Sequence, residues 1–185
     1  KKMESAAKND GINLKIVSAY RGYDRQKTIW NKKYERFTNE FSFEPKKAIL
    51  EIIRFSTIPG TSRHHWGTEI DIVDADYPDE KDVLKSEKFE KNGIYHKLKN
   101  WLDKNSEKFG FYLTYNNDSD RKGFEYEPWH YSYKPSSLKY YNALINADLK
   151  KIINNPDLKG HYYFTESFIN KYISENIMDI NPDLK

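Results

Sequence analysis

Between Thr68 and Val73 the chain reads Thr-Glu-Ile-Asp-Ile-Val, alternating polar and apolar side chains. A period of two fits a pleated strand and not a helix, because successive side chains of a strand point to opposite faces. It puts Glu69 and Asp71 on one face and Ile70 and Ile72 on the other. Whatever else the chain builds, it must build around a strand with one acidic face.

The remaining elements are read from punctuation and apolar spacing. Met3 to Asn9 reads as the end of a helix, closed by Asp10-Gly11, since glycine readily takes a left-handed C-terminal position. Leu14 to Val17 reads as a short strand. Asp24 is expected to cap a helix running to about Phe37, with Ile29, Trp30, Lys33 and Phe37 along one side. Glu44-Pro45 opens another, carrying Ile49, Ile52, Ile53 and Phe55. After the strong break at Pro59-Gly60-Thr61-Ser62 and the acidic-faced strand, a helix is predicted from Ile94 to Lys108 with Leu98, Trp101 and Leu102.

Phe109-Gly110-Phe111 leads into a strand ending at Tyr115, Asn116 to Gly123 is a polar turn, and Phe124 to Tyr133 is the return strand. Pro128 within it lacks an N–H and calls for an edge position or a bulge. Helices are expected after Pro135 (Leu138, Tyr141, Leu144, Ile145) and from Thr165 to Glu175. Helices and antiparallel strands mix without a βαβ rhythm, which favours an α+β fold. The 185 residues suit a single domain, with a core over about 12–134 and a helical extension over about 135–185.

Composition narrows the class. The chain has 15 Tyr, 10 Phe and 4 Trp, enough large side chains for a core despite 32% charged residues. A net charge of +3, with lysines scattered and not striped, argues against a nucleic-acid partner. With no cysteine, thiolate zinc sites and cysteine nucleophiles are excluded. No apolar run is long enough to span a membrane. Nor does an apolar export segment precede the domain, so the chain is expected to be a mature or trimmed fragment. Nothing in the sequence sets an oligomeric state.

Of five histidines, two lie near carboxylates in segments poor in helix signals: His64, seven residues before Asp71, and His130, three after Glu127. Catalytic zinc takes three N or O ligands and keeps a position for water, which two histidines and one aspartate satisfy. On spacing alone the doublet His64-His65 leaves open which ring would serve. Glu127 is the matching candidate for a general base. His96 and His161 lack acidic neighbours at ligand spacing and are expected to be structural. Arg21 offers a planar fork for a carboxylate, and Gln26, about one helical turn further on, a neutral donor.

Three blocks in order resemble a known family: Ser18-Ala19-Tyr20-Arg21-Gly22 with Gln26; Pro59-Gly60-Thr61-Ser62-Arg63-His64-His65-Trp66-Gly67-Thr68-Glu69-Ile70-Asp71; and Glu127-Pro128-Trp129-His130-Tyr131. They are similar to the VanY-type D-alanyl-D-alanine carboxypeptidases, within the zinc peptidases that include lysostaphin-like enzymes and the hedgehog domain. The family register selects His64 over His65. The resemblance implies His64, Asp71 and His130 as zinc ligands, Glu127 as base, and Arg21, Gln26 and Ser62 as contacts to the substrate's terminal carboxylate or developing oxyanion.

It further implies an α+β fold with a small antiparallel sheet carrying the zinc, a peptidoglycan stem peptide as substrate, and a location in the cell envelope. Alternatives within the same site are an L,D-carboxypeptidase, a D,D-dipeptidase or a wall endopeptidase; outside catalysis, a wall- or protein-binding module with this fold. One departure stands out. Many members carry a small residue two before the aspartate, where this chain has Glu69, which is expected to tune substrate choice, bind a cationic group or cap the sheet.

Overall fold

The computed structural model describes all 185 residues. Four strands form one antiparallel sheet: β1 (Leu14–Ser18), β2 (Glu69–Asp74), β3 (Phe111–Leu113) and β4 (His130–Tyr133), in the order β1-β2-β4-β3. The alternating segment therefore becomes a central strand. Its register with β4 sets Asp71 opposite His130 and Glu69 opposite Ser132. Directly opposed residues share a face, so the two acids, a histidine and a serine converge on one side of the sheet. The fold is the mixed helix and small antiparallel sheet expected from the sequence.

The other side of the sheet is apolar. Ile72 and Tyr131 pack with α1 (Lys2–Asn9) and α4 (His96–Asn105) through Met3, Ala7, Leu98, Trp101 and Leu102. A second core joins α2 (Tyr23–Glu35), α3 (Pro45–Ile52), α5 (Lys134–Ile145), α6 (Leu149–Ile153) and α7 (Glu166–Tyr172), centred on Trp30, Ile49, Ile52, Tyr141, Ile153 and Tyr172. Each fully buried aliphatic there contributes roughly 1.5–3 kcal/mol. The polar sheet face is turned toward this second core, where the Tyr115 ring stands edge-on to His130 at 5.0 Å. Residues after 135 thus share a core with α2 and α3. No helix is long and apolar enough to cross a membrane.

Several boundaries differ from expectation. Gly22, not Asp24, occupies the cap position of α2; Asp24 lies inside the first turn, where a carboxylate favours the positive end of the helix. Beyond Glu35 the helix loosens into a π turn, Arg36–Glu40. The helix predicted over Ile94–Lys108 is shorter and closes in a 3-10 turn, Ser106–Phe109, ended by Gly110 at φ +81. The return strand is reduced to His130–Tyr133, because the backbone before it bonds elsewhere: Glu125 N–H to Arg54 O and Glu127 N–H to Tyr115 O. Helix α6 was not expected; Asp148 caps it by accepting from Lys151 N–H.

Candidate active site

Two irregular segments bring the first histidine to β2. A 3-10 turn, Arg63–Trp66, presents His64 and ends at Gly67, whose φ of +70 is a left-handed conformation that glycine adopts without strain. The loop leaving β1 straps this turn: Arg21 N–H donates to His64 O at 3.1 Å, and His64 Nδ1 donates to Ala19 O at 2.7 Å. The imidazole is thereby fixed with Nε2 bare, 3.5 Å from Asp71 Oδ2. On the far side Asp71 Oδ1 lies 3.5 Å from His130 Nδ1. One ligand atom from each of His64, Asp71 and His130 falls within 4.8 Å of the others, and all three residues are buried.

His65 does not compete for this position. Its Nδ1 donates to Arg21 O at 2.5 Å, and its Nε2 accepts from Gly60 N–H at 3.2 Å, so both ring nitrogens are spent on backbone. The doublet divides the labour: His64 faces the acids, and His65 ties the loop after β1 to the loop before the 3-10 turn.

The electrostatics match a cation site that other groups partly compensate. Burial, the neighbouring His130 and Arg21 push the His64 pKa down to about 3, so its ring is neutral. Burial and the Glu127 charge raise Asp71 to about 6, against the pull of His130. Burial alone would lower His130, but its hydrogen bonds to Glu127 and Glu69 and the charge of Asp71 prevail and push it up to about 10. Asp71 Oδ1 is buried and makes no hydrogen bond. A buried carboxylate oxygen without a donor is costly unless a cation completes it. Two imidazole nitrogens and one carboxylate oxygen, with that oxygen unpartnered, are a donor set that suits zinc.

Glu127 belongs to the same cluster: its Oε2 is 3.1 Å from His130 Nδ1. Beside it opens a cleft of about 410 Å³ lined by Arg21, Lys33, Ser62, the three candidate ligands and Glu127, among others. Burial lowers the Arg21 pKa while Asp71 and Glu127 hold its charge, and its Nε has no partner within the protein. The structure therefore brings Arg21, Ser62, His64, Asp71, Glu127 and His130 together. Gln26 is not brought into the lining; it is buried, and its Nε2 donates to Thr57 O at 2.8 Å and Thr57 Oγ1 at 3.2 Å, supporting a loop that does line the cleft.

Three residues enter that sequence reasoning did not place here: Lys33, Arg63 and Tyr172. Lys33, two turns along α2 from Gln26, donates from Nζ to Ser56 Oγ at 2.6 Å and adds a further cation to the cleft. Its seven-residue spacing from Gln26 was the available signal. Arg63 and Glu69 form a buried ion pair under the site, Nε to Oε2 at 3.3 Å. Tyr172 of α7 accepts from Ile58 N–H at 2.9 Å and bonds Thr61 Oγ1 at 2.9 Å, clamping the loop that leads to Ser62. A contact over 114 residues leaves no mark in local sequence.

The His65 clasp carries a pH prediction. Burial holds its pKa below the ordinary 6.5, and the neutral ring is what accepts from Gly60. The unfolded chain then takes up this proton at higher pH than the folded one, so the contribution is whole above about 6.5 and fades as pH falls toward the folded value. Urea midpoints measured across that range should show a steeper acid-side loss in the parent than in His65→Gln. Identical slopes would remove His65 from the account.

Comparison with known proteins agrees with this geometry. The family model described as VanY, D-alanyl-D-alanine carboxypeptidase, matches residues 1–136. A Bacillus subtilis (strain 168) protein described as a putative carboxypeptidase, YodJ, is 33% identical over 167 residues, covering 89% of this chain and 50% of that protein. A D-alanyl-D-alanine carboxypeptidase of Enterococcus faecalis (strain V583) is 32% identical over 129 residues, covering 69% and 42%. The chain spans about half the length, or less, of these two curated relatives.

Among solved structures, a variant of the vancomycin-resistance D,D-pentapeptidase VanY in complex with Zn(II) superposes with a TM-score of 0.55 at 25% identity, covering 89% of this chain and 78% of that one. The LD-carboxypeptidase LdcB superposes with a TM-score of 0.53 at 28% identity, covering 88% and 63%. With a family model matching over most of its length and a sheet that gathers the family's three sequence blocks around one cleft, the chain belongs to the VanY family of D-alanyl-D-alanine carboxypeptidases.

Proposed function

We propose that this protein is a zinc-dependent D,D-carboxypeptidase, removing the terminal D-alanine from a peptidoglycan stem peptide. The observation that carries the reading is the buried His64, Asp71 and His130 set with an unpartnered Asp71 oxygen, flanked in one cleft by Glu127 and Arg21. The family description, the Enterococcus relative and the Zn(II) complex of the VanY neighbour support it. We take residues 1–185 as one functional unit working in the cell envelope, where such peptides are found.

Zinc bound by His64, Asp71 and His130 would polarise the scissile carbonyl and make the attacking water acidic near neutral pH. The chain's own groups do the rest. Arg21 pairs its guanidinium with the terminal carboxylate and so sets the scissile bond in place, while Ser62 offers a hydroxyl to the carbonyl oxygen. Gln26 acts through the Thr57 loop. Glu127 takes a proton from water as the C–O bond forms, then gives it to the leaving nitrogen as the C–N bond breaks, releasing D-alanine and the shortened peptide.

The test is mass spectrometry of muramyl pentapeptide and tetrapeptide incubated with zinc-loaded protein. The pentapeptide should lose one alanine, the tetrapeptide should survive, and chelation should stop the reaction until zinc is restored. Arg21→Ala should lower kcat/KM by roughly 10–150-fold, the worth of a hydrogen bond to a charged group. Trimming of the tetrapeptide alone would transfer the activity to the L,D class, and no trimming of either with zinc bound would defeat the exopeptidase reading.

A further inference from the structure

The ring of His130 is held from both ends. Nδ1 faces Glu127 and Asp71, and the opposite nitrogen, Nε2, lies 2.9 Å from Glu69 Oε2. Glu69 is 0% exposed and lies on the sheet beneath the site, outside the lining of the cleft. That placement argues against direct contact with a cationic group of the peptide, one of the three uses the sequence left open, and calls for another use of this buried carboxylate.

Its surroundings are those of a fixed acceptor. Oε1 takes hydrogen bonds from Ser132 Oγ at 2.6 Å and Thr68 Oγ1 at 3.1 Å; Oε2 takes them from Thr114 Oγ1 at 3.2 Å and His130 Nε2 at 2.9 Å. An ionised carboxylate offers about four acceptor positions, and all are used. Arg63 supplies the opposing charge, with Nε 3.3 Å from Oε2, while its Nη2 donates to Ser132 Oγ at 2.8 Å and its guanidinium stacks over Trp66 at 4.5 Å. A buried acid this well satisfied does not swing, and a ring bonded to it does not turn.

We infer that Glu69 is a positioning residue for the metal ligand His130, accepting its Nε2–H so that the Nδ1 lone pair is aimed at the site shared with His64 and Asp71. This rests on the zinc-peptidase reading above. A histidine ligand that donates its second N–H to a carboxylate is held in one tautomer and one orientation, and becomes a more basic ligand. Here Arg63 and three hydroxyls serve that carboxylate in turn. Glu69 is thus an outer support of the metal site and not a substrate contact.

The experiment measures zinc affinity of the full chain by competition with a chelating fluorophore, alongside long-range 1H–15N spectra of histidine-labelled protein. The zinc-loaded parent should show His130 with its proton on Nε2 and slow exchange of that proton with solvent. Glu69→Gln should bind zinc roughly 10–100-fold more weakly at unchanged stoichiometry, with faster exchange at Nε2. Should Glu69→Gln fail to fold because Arg63 is left a buried unpaired cation, Arg63→Met with Glu69→Gln removes both charges and must show the same loss.

Parental zinc affinity and parental exchange in either folded variant would overturn the positioning role and leave the peptidase reading intact. A His130 proton on Nδ1 in the zinc-loaded parent would overturn it without any variant. A parent that binds no zinc would overturn the peptidase reading and this inference with it.

Discussion

His64→Ala and His130→Ala are each expected to leave a protein that neither retains zinc through gel filtration nor cleaves stem peptides. The argument is one of pre-aimed donors. Ala19 O fixes His64 by its Nδ1 and frees Nε2, and Glu69 fixes His130 by its Nε2 and directs Nδ1 at Asp71. Removing either ring leaves two protein ligands where catalytic zinc needs three. The loss of affinity should therefore exceed the roughly 10–100-fold cost of disturbing an outer-shell partner. The control is His65→Ala, whose ring spends both nitrogens on the backbone of Arg21 and Gly60. It should keep one zinc per chain while losing stability. Metal lost from His65→Ala and retained by His64→Ala, measured by elemental analysis of the eluted protein, would reverse the choice of ligand.

That choice illustrates how much of this molecule could be read from residue order. Strand β2 was legible because its period of two is local and allows one geometry, and the shared face of Glu69 and Asp71 followed from it. Which histidine serves was not legible from parity, because His64 and His65 sit on a 3-10 turn and not on a strand. The return strand was overextended, since nothing nearby in sequence reveals that Glu125 and Glu127 send their N–H groups to Arg54 and Tyr115. Pro128 was the local warning, and the strand begins two residues after it.

Gln26 and Glu69 show the same limit in side chains. Both were identified as polar residues near the site, and both are buried supports: one carries the Thr57 loop, the other carries His130. Sequence gives the chemistry of a side chain and its face on a local element. Whether that face looks into the cleft or away from it depends on contacts such as Arg63 with Glu69, or Tyr172 with Ile58, that form only when distant segments pack.

Glu127→Ala is expected to keep zinc and lose turnover, which separates it from the ligand variants. Glu127 Oε2 lies 3.1 Å from His130 Nδ1, an arrangement that suits a protonated imidazole and a carboxylate. His130 Nδ1 has a single lone pair. Once that pair is given to a metal, Nδ1 holds no proton for Glu127, and the carboxylate is free to accept one from water. Its placement at the cleft wall, beside Arg21 and the three proposed ligands, would let it serve both the attacking water and the leaving nitrogen. A positioned acid–base group is worth typically ~10²–10⁴-fold, or about 2.7–5.4 kcal/mol of activation free energy. The fall should appear in kcat with little change in KM, because Glu127 acts on the proton in transit and not on the bound carboxylate. Zinc content should stay at the parental value, since Glu127 is not among the proposed ligands. Turnover within a few-fold of the parent in zinc-loaded Glu127→Ala would require another base, and the cleft offers only Glu87 as a second glutamate among its lining residues. Loss of zinc from the same variant would instead make Glu127 a ligand and move the role of base elsewhere.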